Sequence, residues 1–254
     1  MTTHFLYRRA RHHRSVCWKQ CSLMLALTFA LLLGCSAHLH AQPAAHEQSV
    51  SPGVNKTFLS PDLDVDRWVA NFEGESREIY ARRQAIVDAV QLRPGMAVAD
   101  IGAGTGLFVE LFAEKVGSEG KLYAVDIAPK FVEHLRQRAA AQGLSNVTAI
   151  LGKEDAVSLP TDSLDVAFVC DAYHHFEYPQ SVLASIYQAL RPGGALILID
   201  FQRIPGQSRP WVLDHVRADK ETFTKEIEAA GFRLVEEASL VGLQENYFLR
   251  FVKS

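Results

Sequence analysis

The stretch Val98-Ala-Asp-Ile-Gly-Ala-Gly-Thr-Gly-Leu-Phe108 limits what this chain can fold into more than any other. Met96–Ile101 is short and mostly apolar, as a central parallel strand covered on both faces must be. Gly102, Gly104 and Gly106 follow at alternate positions, where a missing Cβ permits positive φ and lets a ligand approach the backbone. Leu107–Lys115 then shows helical apolar spacing, with Leu107, Val109, Leu111 and Phe112 free to pack on a sheet. Strand, turn and helix predict a βα unit whose helix N-terminus leaves unpaired N–H groups over the turn.

The order of the glycines narrows the ligand. A dinucleotide fingerprint reads G-x-G-x-x-G and seats a pyrophosphate on the helix. Here the order is D-x-G-x-G-x-G, with Asp100 closing the strand, and a carboxylate there suits a cationic ligand end better than a pyrophosphate. The stretch resembles the first motif of the class I S-adenosylmethionine (SAM)-dependent methyltransferases. That resemblance implies that Asp100 helps hold the methionine portion of SAM, over a turn made by Gly102, Ala103, Gly104, Thr105 and Gly106. An ordinary tight βα turn is the plain alternative, so the rest of the chain must decide.

Lys121–Asp126 is a second buried strand that ends in an acid. Asp126 stands roughly 20 residues after the turn, where a nucleoside site needs a carboxylate for the ribose hydroxyls. Ile127 beside it can lie against adenine, and Pro129 opens a helix over Phe131–Gln142. An acid at that spacing serves NAD and SAM alike. Val147–Leu151 is the third strand, followed by Glu154, Asp155 and Ala156. In the resembled family an acid followed by a small residue meets the adenine amino group here; Asp155 matches, with Glu154 competing. Leu164–Cys170 is the fourth strand. Three strands thus deliver polar groups at their carboxyl ends, the ligand edge of an open α/β sheet.

Asp171-Ala-Tyr-His-His-Phe176 follows the fourth strand directly, and the resemblance makes Asp171 a candidate cofactor-binding residue. The family carries substrate-facing residues on this loop, and a His-rich version resembles its quinone-biosynthesis and small-molecule branch. SAM already holds an activated methyl, so the protein chiefly aligns the acceptor in line with the S–CH3 bond and excludes water. A base helps only where the acceptor must lose a proton, and His174 or His175 can serve; either can instead simply pack at the pocket wall. Gln180–Leu190 reads as a helix, and Leu190–Leu196 repeats the family's Arg-Pro-Gly-Gly turn into a fifth strand, Ala195–Phe201. The irregular span Ile204–Asp214 is expected to cross the pocket, making Trp211, His215 and Arg217 candidate acceptor-binding residues, together with Tyr173 from the loop after the fourth strand. Asp219–Ala230 is a helix closed by Gly231, and Phe232–Leu240 with Glu245–Val252 reads as a terminal antiparallel pair.

These elements, in this order, imply a Rossmann-like class I methyltransferase fold: a seven-stranded, mostly parallel sheet with a C-terminal antiparallel hairpin and helices on both faces. The resemblance runs from about residue 75 to the C-terminus. Ahead of it, Asp62–Phe72 and Ser76–Val90 read as helices within a domain spanning 61–254, and the resemblance implies that they fold over the pocket as a partial lid. Trp68 and Phe72 are lid or core filler.

The N-terminus is of another kind. Arg8, Arg9, Arg11, Arg14 and Lys19 precede Leu23–Leu33, an apolar run interrupted only by Thr28, which has the size of a signal h-region. Leu32-Leu-Gly-Cys35 resembles a bacterial lipobox, implying an exported, periplasmic or membrane-anchored lipoprotein lipidated at Cys35. Cleavage after Ala41, an uncleaved anchor, or a later true start with a cytoplasmic enzyme are the alternatives. That segment holds five of the chain's 26 basic residues and none of its 29 acids, so the remainder carries a net charge of −8. Such a surface argues against nucleic acid and for a small-molecule acceptor. Of four cysteines only Cys170 lies beyond Cys35, which excludes a disulfide framework and a cysteine metal site. Residues 36–60 read as a flexible tether whose His38, His40 and His46 are solvated, and no metal-binding set is legible.

The function these features predict is methyl transfer from SAM to a small molecule. A non-catalytic, membrane-tethered binding protein on the same fold is the alternative. An NAD-dependent oxidoreductase is disfavoured by the glycine order and by the lack of a Tyr-x-x-x-Lys set.

Overall fold

The computed structural model describes residues 47–254. The signal segment, Cys35 and residues 36–46 of the expected tether lie outside the described residues. Helices α1 (Val65–Phe72), α2 (Glu78–Ala81) and α3 (Arg83–Val90) precede β1 (Ala97–Ile101). Then follow α4 (Val109–Val116), β2 (Lys121–Asp126), α5 (Pro129–Ala141), β3 (Val147–Leu151) and β4 (Leu164–Cys170). A short 3-10 turn, Tyr173–His175, leads to α6 (Pro179–Ala189) and β5 (Leu190–Phe201). The chain closes with α7 (Pro210–His215), α8 (Lys220–Ala229), β6 (Phe232–Ala238) and β7 (Asn246–Lys253). None of the described helices is long and apolar enough to cross a membrane.

The strands form one sheet in the order β3-β2-β1-β4-β5-β7-β6. β1 to β5 pair in parallel, and β7 runs antiparallel to both β5 and β6. Parallel strands need crossovers, which here are the helices α4, α5 and α6 and the irregular stretch between β3 and β4, and the central strands are buried on both faces. Alternation along each strand sends side chains to two cores. Ala99, Ala167, Val169 and Leu198 pack with Leu183 and Ile186 of α6 and with Phe223 and Ile227 of α8. Val98, Phe168 and Ile197 pack with Ile86, Val90, Phe112 and Leu135 on the other side. Phe112 and Phe168 meet edge-on at 4.9 Å, and full burial of each side chain contributes about 2–3 kcal/mol.

Local chemistry sets the helix ends. Asp64 and Asp219 cap α1 and α8 by accepting the Arg67 and Thr222 N–H groups at 3.1 and 2.9 Å. Pro129, Pro179 and Pro210 each open a helix in its first turn. That placement makes Pro210–His215 a short helix where irregular chain was expected. The single helix expected over Ser76–Val90 is two, interrupted at Arg82 with φ −108° and ψ 10°, and Ala85 is exposed. Its first piece is tied elsewhere: the Glu78 carboxylate accepts the N–H groups of Gln244, Glu245 and Asn246.

The described part of the expected tether, from residue 47, is docked. Glu47 accepts the Gln180 and Ser181 N–H groups at the start of α6, at 2.9 and 2.7 Å. Glu177 accepts from Ser49 Oγ and the Gly53 N–H. Helix and loop N–H groups that would otherwise lack partners hold this polar segment, a tertiary effect that hydrophobic periodicity cannot report.

Candidate active site

β1 and β4 are sheet neighbours although β2 and β3 lie between them in sequence, and the chain leaves them in opposite directions. Outside the carboxyl ends of such a pair a crevice must form. There the molecule holds a cavity of about 700 Å³, within the range typical of small-ligand sites. Asp100, Asp126 and Asp171 reach it from the ends of β1, β2 and β4.

The glycine turn forms its floor. Gly102 has φ +75°, and a Cβ there would come within 2.5 Å of the Ala172 Cβ, so no other residue fits. Gly104, at φ +53°, faces the Phe72 ring. Gly102, Gly104 and Thr105 line the cavity, whereas Ala103 is buried beside it and Gly106 packs against Leu135 and Val109. Residues between Thr105 and Phe108 continue as turns, so the helix begins at Val109 rather than at Leu107.

Asp126 Oδ2 accepts the Gly104 N–H and Oδ1 the Ala128 N–H, both at 2.8 Å. Each carboxylate oxygen has a second lone pair, which leaves the group able to accept two hydroxyls as well. Burial raises the Asp126 pKa to about 6 against the pull of those amides. Burial also pushes Asp100 up to about 7, helped by the nearby Asp126 charge. Asp171 rises to about 6 through burial, opposed by the Arg77 guanidinium that pairs with it. Three buried carboxyl groups around one cavity favour a ligand that brings positive charge.

Ile127, Glu154 and Ala156 line the cavity wall. Asp155, favoured over Glu154 from the sequence, is exposed and outside the cavity. The Lys153–Ala156 bridge turns the chain so that Glu154 faces inward. Arg77, Asn55 and Phe58 also line the cavity, and the sequence pointed to none of them. Asn55 donates to the His175 carbonyl at 3.0 Å, and Phe58 meets the His175 ring edge-on at 5.3 Å. Both come from the segment read as a tether.

One part of the cavity is histidine-rich. His174, His175, His215 and Trp211 all line the cavity. His174 Nδ1 lies 2.8 Å from Oδ1 of Asp200, a fully buried carboxylate. Burial would lower the His174 pKa, but Asp200 outweighs it and the net shift is upward. His175 Nε2 lies 3.2 Å from His215 Nε2. Burial, with the neighbouring His174 and His215, lowers His175 to about 2.

Tyr173 and Arg217 do not reach the cavity. The Tyr173 hydroxyl donates to Glu226 at 2.9 Å, and Arg217 grips the same carboxylate with two nitrogens at 2.8 and 2.7 Å. The Tyr173 ring packs edge-on against Phe223. Expected as acceptor contacts, both instead join the 3-10 turn to α8, because a buried phenol needs a partner for its hydroxyl.

Residues 98–194 match the family described as methyltransferase domain. That span holds the glycine turn, Asp126, Glu154 and the loop from Asp171. The chain is 32% identical over 113 residues to a Ubiquinone/menaquinone biosynthesis C-methyltransferase UbiE from Marinomonas sp., covering 44% of this chain and 45% of the relative. The chain thus matches less than half the length of that curated relative. A crystal structure of a SAM dependent methyltransferase from Aquifex aeolicus superposes with a TM-score of 0.67 at 21% identity, covering 75% of this chain and 99% of that one. An S-adenosylmethionine dependent methyltransferase from Mesorhizobium loti gives 0.55 at 18%, covering 70% and 99%. The architecture is the Rossmann-like class I methyltransferase fold.

Proposed function

We propose that this protein is a SAM-dependent methyltransferase acting on a small molecule. The observation that carries this reading is the Asp126 carboxylate, fixed to the glycine turn through Gly104 and standing in one cavity with Asp100 and Asp171. In this reading Asp126 accepts the ribose hydroxyls, Ile127 and Glu154 meet the adenine, and Asp100 holds the amino-acid end. The match to residues 98–194 supports it.

The acceptor we propose is a small, apolar aromatic ring bearing an ionisable oxygen. Phe58, Trp68, Phe72, Phe176 and Trp211 supply flat apolar walls, and the relatives are named as quinone-biosynthesis C-methyltransferases. His175, with its pKa held at about 2, is too weak a base near neutrality. His174, oriented by Asp200, is the imidazole suited to take a proton.

Calorimetric titration of SAM and S-adenosylhomocysteine into the full chain tests the reading. Binding at one site per chain supports it, and no binding to a folded sample overturns it. We further propose that residues 1–35 direct export and that Cys35 is lipidated, on the basic, apolar and Leu-Leu-Gly-Cys pattern. Cell fractionation of wild type and Cys35→Ser checks this: the variant should leave the membrane fraction.

A further inference from the structure

His174 and His175 sit on the 3-10 turn after β4, and His215 closes α7. One nitrogen of each lies within 4.8 Å of those of the other two. We infer that His174, His175 and His215 form a binding site for a divalent first-row transition metal ion, with a coordination position open to the cavity.

The geometry is close to a ligand set. A tetrahedral ion with metal–nitrogen bonds of about 2.0–2.1 Å separates its nitrogens by roughly 3.3 Å. The His175 and His215 Nε2 atoms are 3.2 Å apart, near that edge length. A His174 nitrogen lies within 4.8 Å of the other two and completes the triangle by drawing closer to them.

The surroundings are those of a metal-binding histidine. Asp200 accepts from His174 Nδ1 and is itself held by the His174 and Phe201 N–H groups. A carboxylate anchored in this way fixes the tautomer and leaves Nε2 bare as a ligand. Aromatic rings hold the imidazoles in place: Phe58 against His175, Phe201 against His174, and Trp211 against His215 at 6.3 Å. Three imidazoles without thiolate or a shell of oxygens select zinc, iron, cobalt, nickel or copper over magnesium and calcium. Three protein ligands with an open position is the arrangement of a catalytic rather than a structural ion.

The ion's role rests on the methyltransferase reading. At the open position it takes an oxygen of the acceptor and lowers that oxygen's pKa. The acceptor's proton passes to solvent. The S–CH3 bond then breaks as the acceptor–CH3 bond forms, and the sulfonium leaves as a neutral thioether. With the ion bound, His174 is a ligand and the ion replaces it in activating the acceptor.

Titration of Co²⁺ into the metal-free full chain, followed by visible absorption, tests the site. Wild type should bind one more equivalent of Co²⁺ than His215→Ala or His175→Ala, with the intense absorption of a low-coordinate ion. His134→Ala, altered away from the cavity, should match wild type, which separates this site from the chain's other histidines. Asp200→Asn should weaken binding ~10–100-fold. His215 is exposed at a helix end, so its variant folds and keeps the test decisive. Equal Co²⁺ content and spectrum in wild type and His215→Ala overturns the proposal. SAM binding, measured on the same metal-free samples, reports separately on the methyltransferase reading.

Discussion

The Asp126 carboxylate accepts the Gly104 N–H at 2.8 Å, which ties the end of β2 to the glycine turn after β1. The residue expected to hold the ribose therefore also sets the shape of the turn beneath the cavity. Replacing Asp126 with alanine should weaken SAM binding roughly 100-fold, about 2–3 kcal/mol for hydrogen bonds to a charged group. Calorimetry checks this, and an unchanged affinity would remove Asp126 from the site.

Asp100 and Asp126 give the cavity a pH dependence. Their folded pKa values of about 7 and about 6 exceed the ordinary 3.8, because burial disfavours the charged forms. Groups with raised carboxyl pKa values contribute stability that is full below the unfolded pKa and is lost as pH climbs towards 6 and 7. A cationic ligand offsets that loss. The rise in Tm on adding SAM should be larger at about pH 8 than at about pH 5; an equal rise in thermal scans at both would refute the linkage.

Arg77 joins the start of α2 to Asp171, with the guanidinium 5.1 Å from the Phe72 ring centre. Asp171 is almost wholly buried, while the Arg77 side chain is about one quarter exposed. Arg77→Met should leave that carboxylate without its cation, held only by the Asn246 side chain, and cost roughly 2–3 kcal/mol, below the full value for a wholly buried pair. Chemical denaturation measures the loss, and proteolysis near residue 77 should quicken as the start of α2 loosens. A stability change below about 0.5 kcal/mol would contradict the ion pair's role.

Tyr173→Phe separates a structural role from an acceptor role. The variant loses one hydrogen bond to Glu226 while Arg217 keeps its two contacts with that carboxylate. Stability should fall by about 1 kcal/mol, with SAM affinity and acceptor KM unchanged. A rise in KM without a loss of stability would return Tyr173 to the acceptor site.

What the sequence determined by itself is the local and periodic part of this structure. Strands β2, β3 and β4 have the expected limits, because short apolar runs bounded by polar turns have one burial solution in a parallel sheet. Gly102, Asp100 and Asp126 were legible for a related reason: the backbone at a βα turn dictates residue type and spacing. Tertiary structure decided the rest. Glu154 rather than Asp155 faces the cavity because a local bridge orients that loop. Asn55 and Phe58 line it because Glu47 and Glu177 dock a segment without hydrophobic periodicity. Arg77 meets Asp171 across 94 positions, and His215 meets His175 across 40. Such pairings arise when separate elements converge on the open end of a sheet, and no property of either residue's neighbours in sequence records which partner it will find.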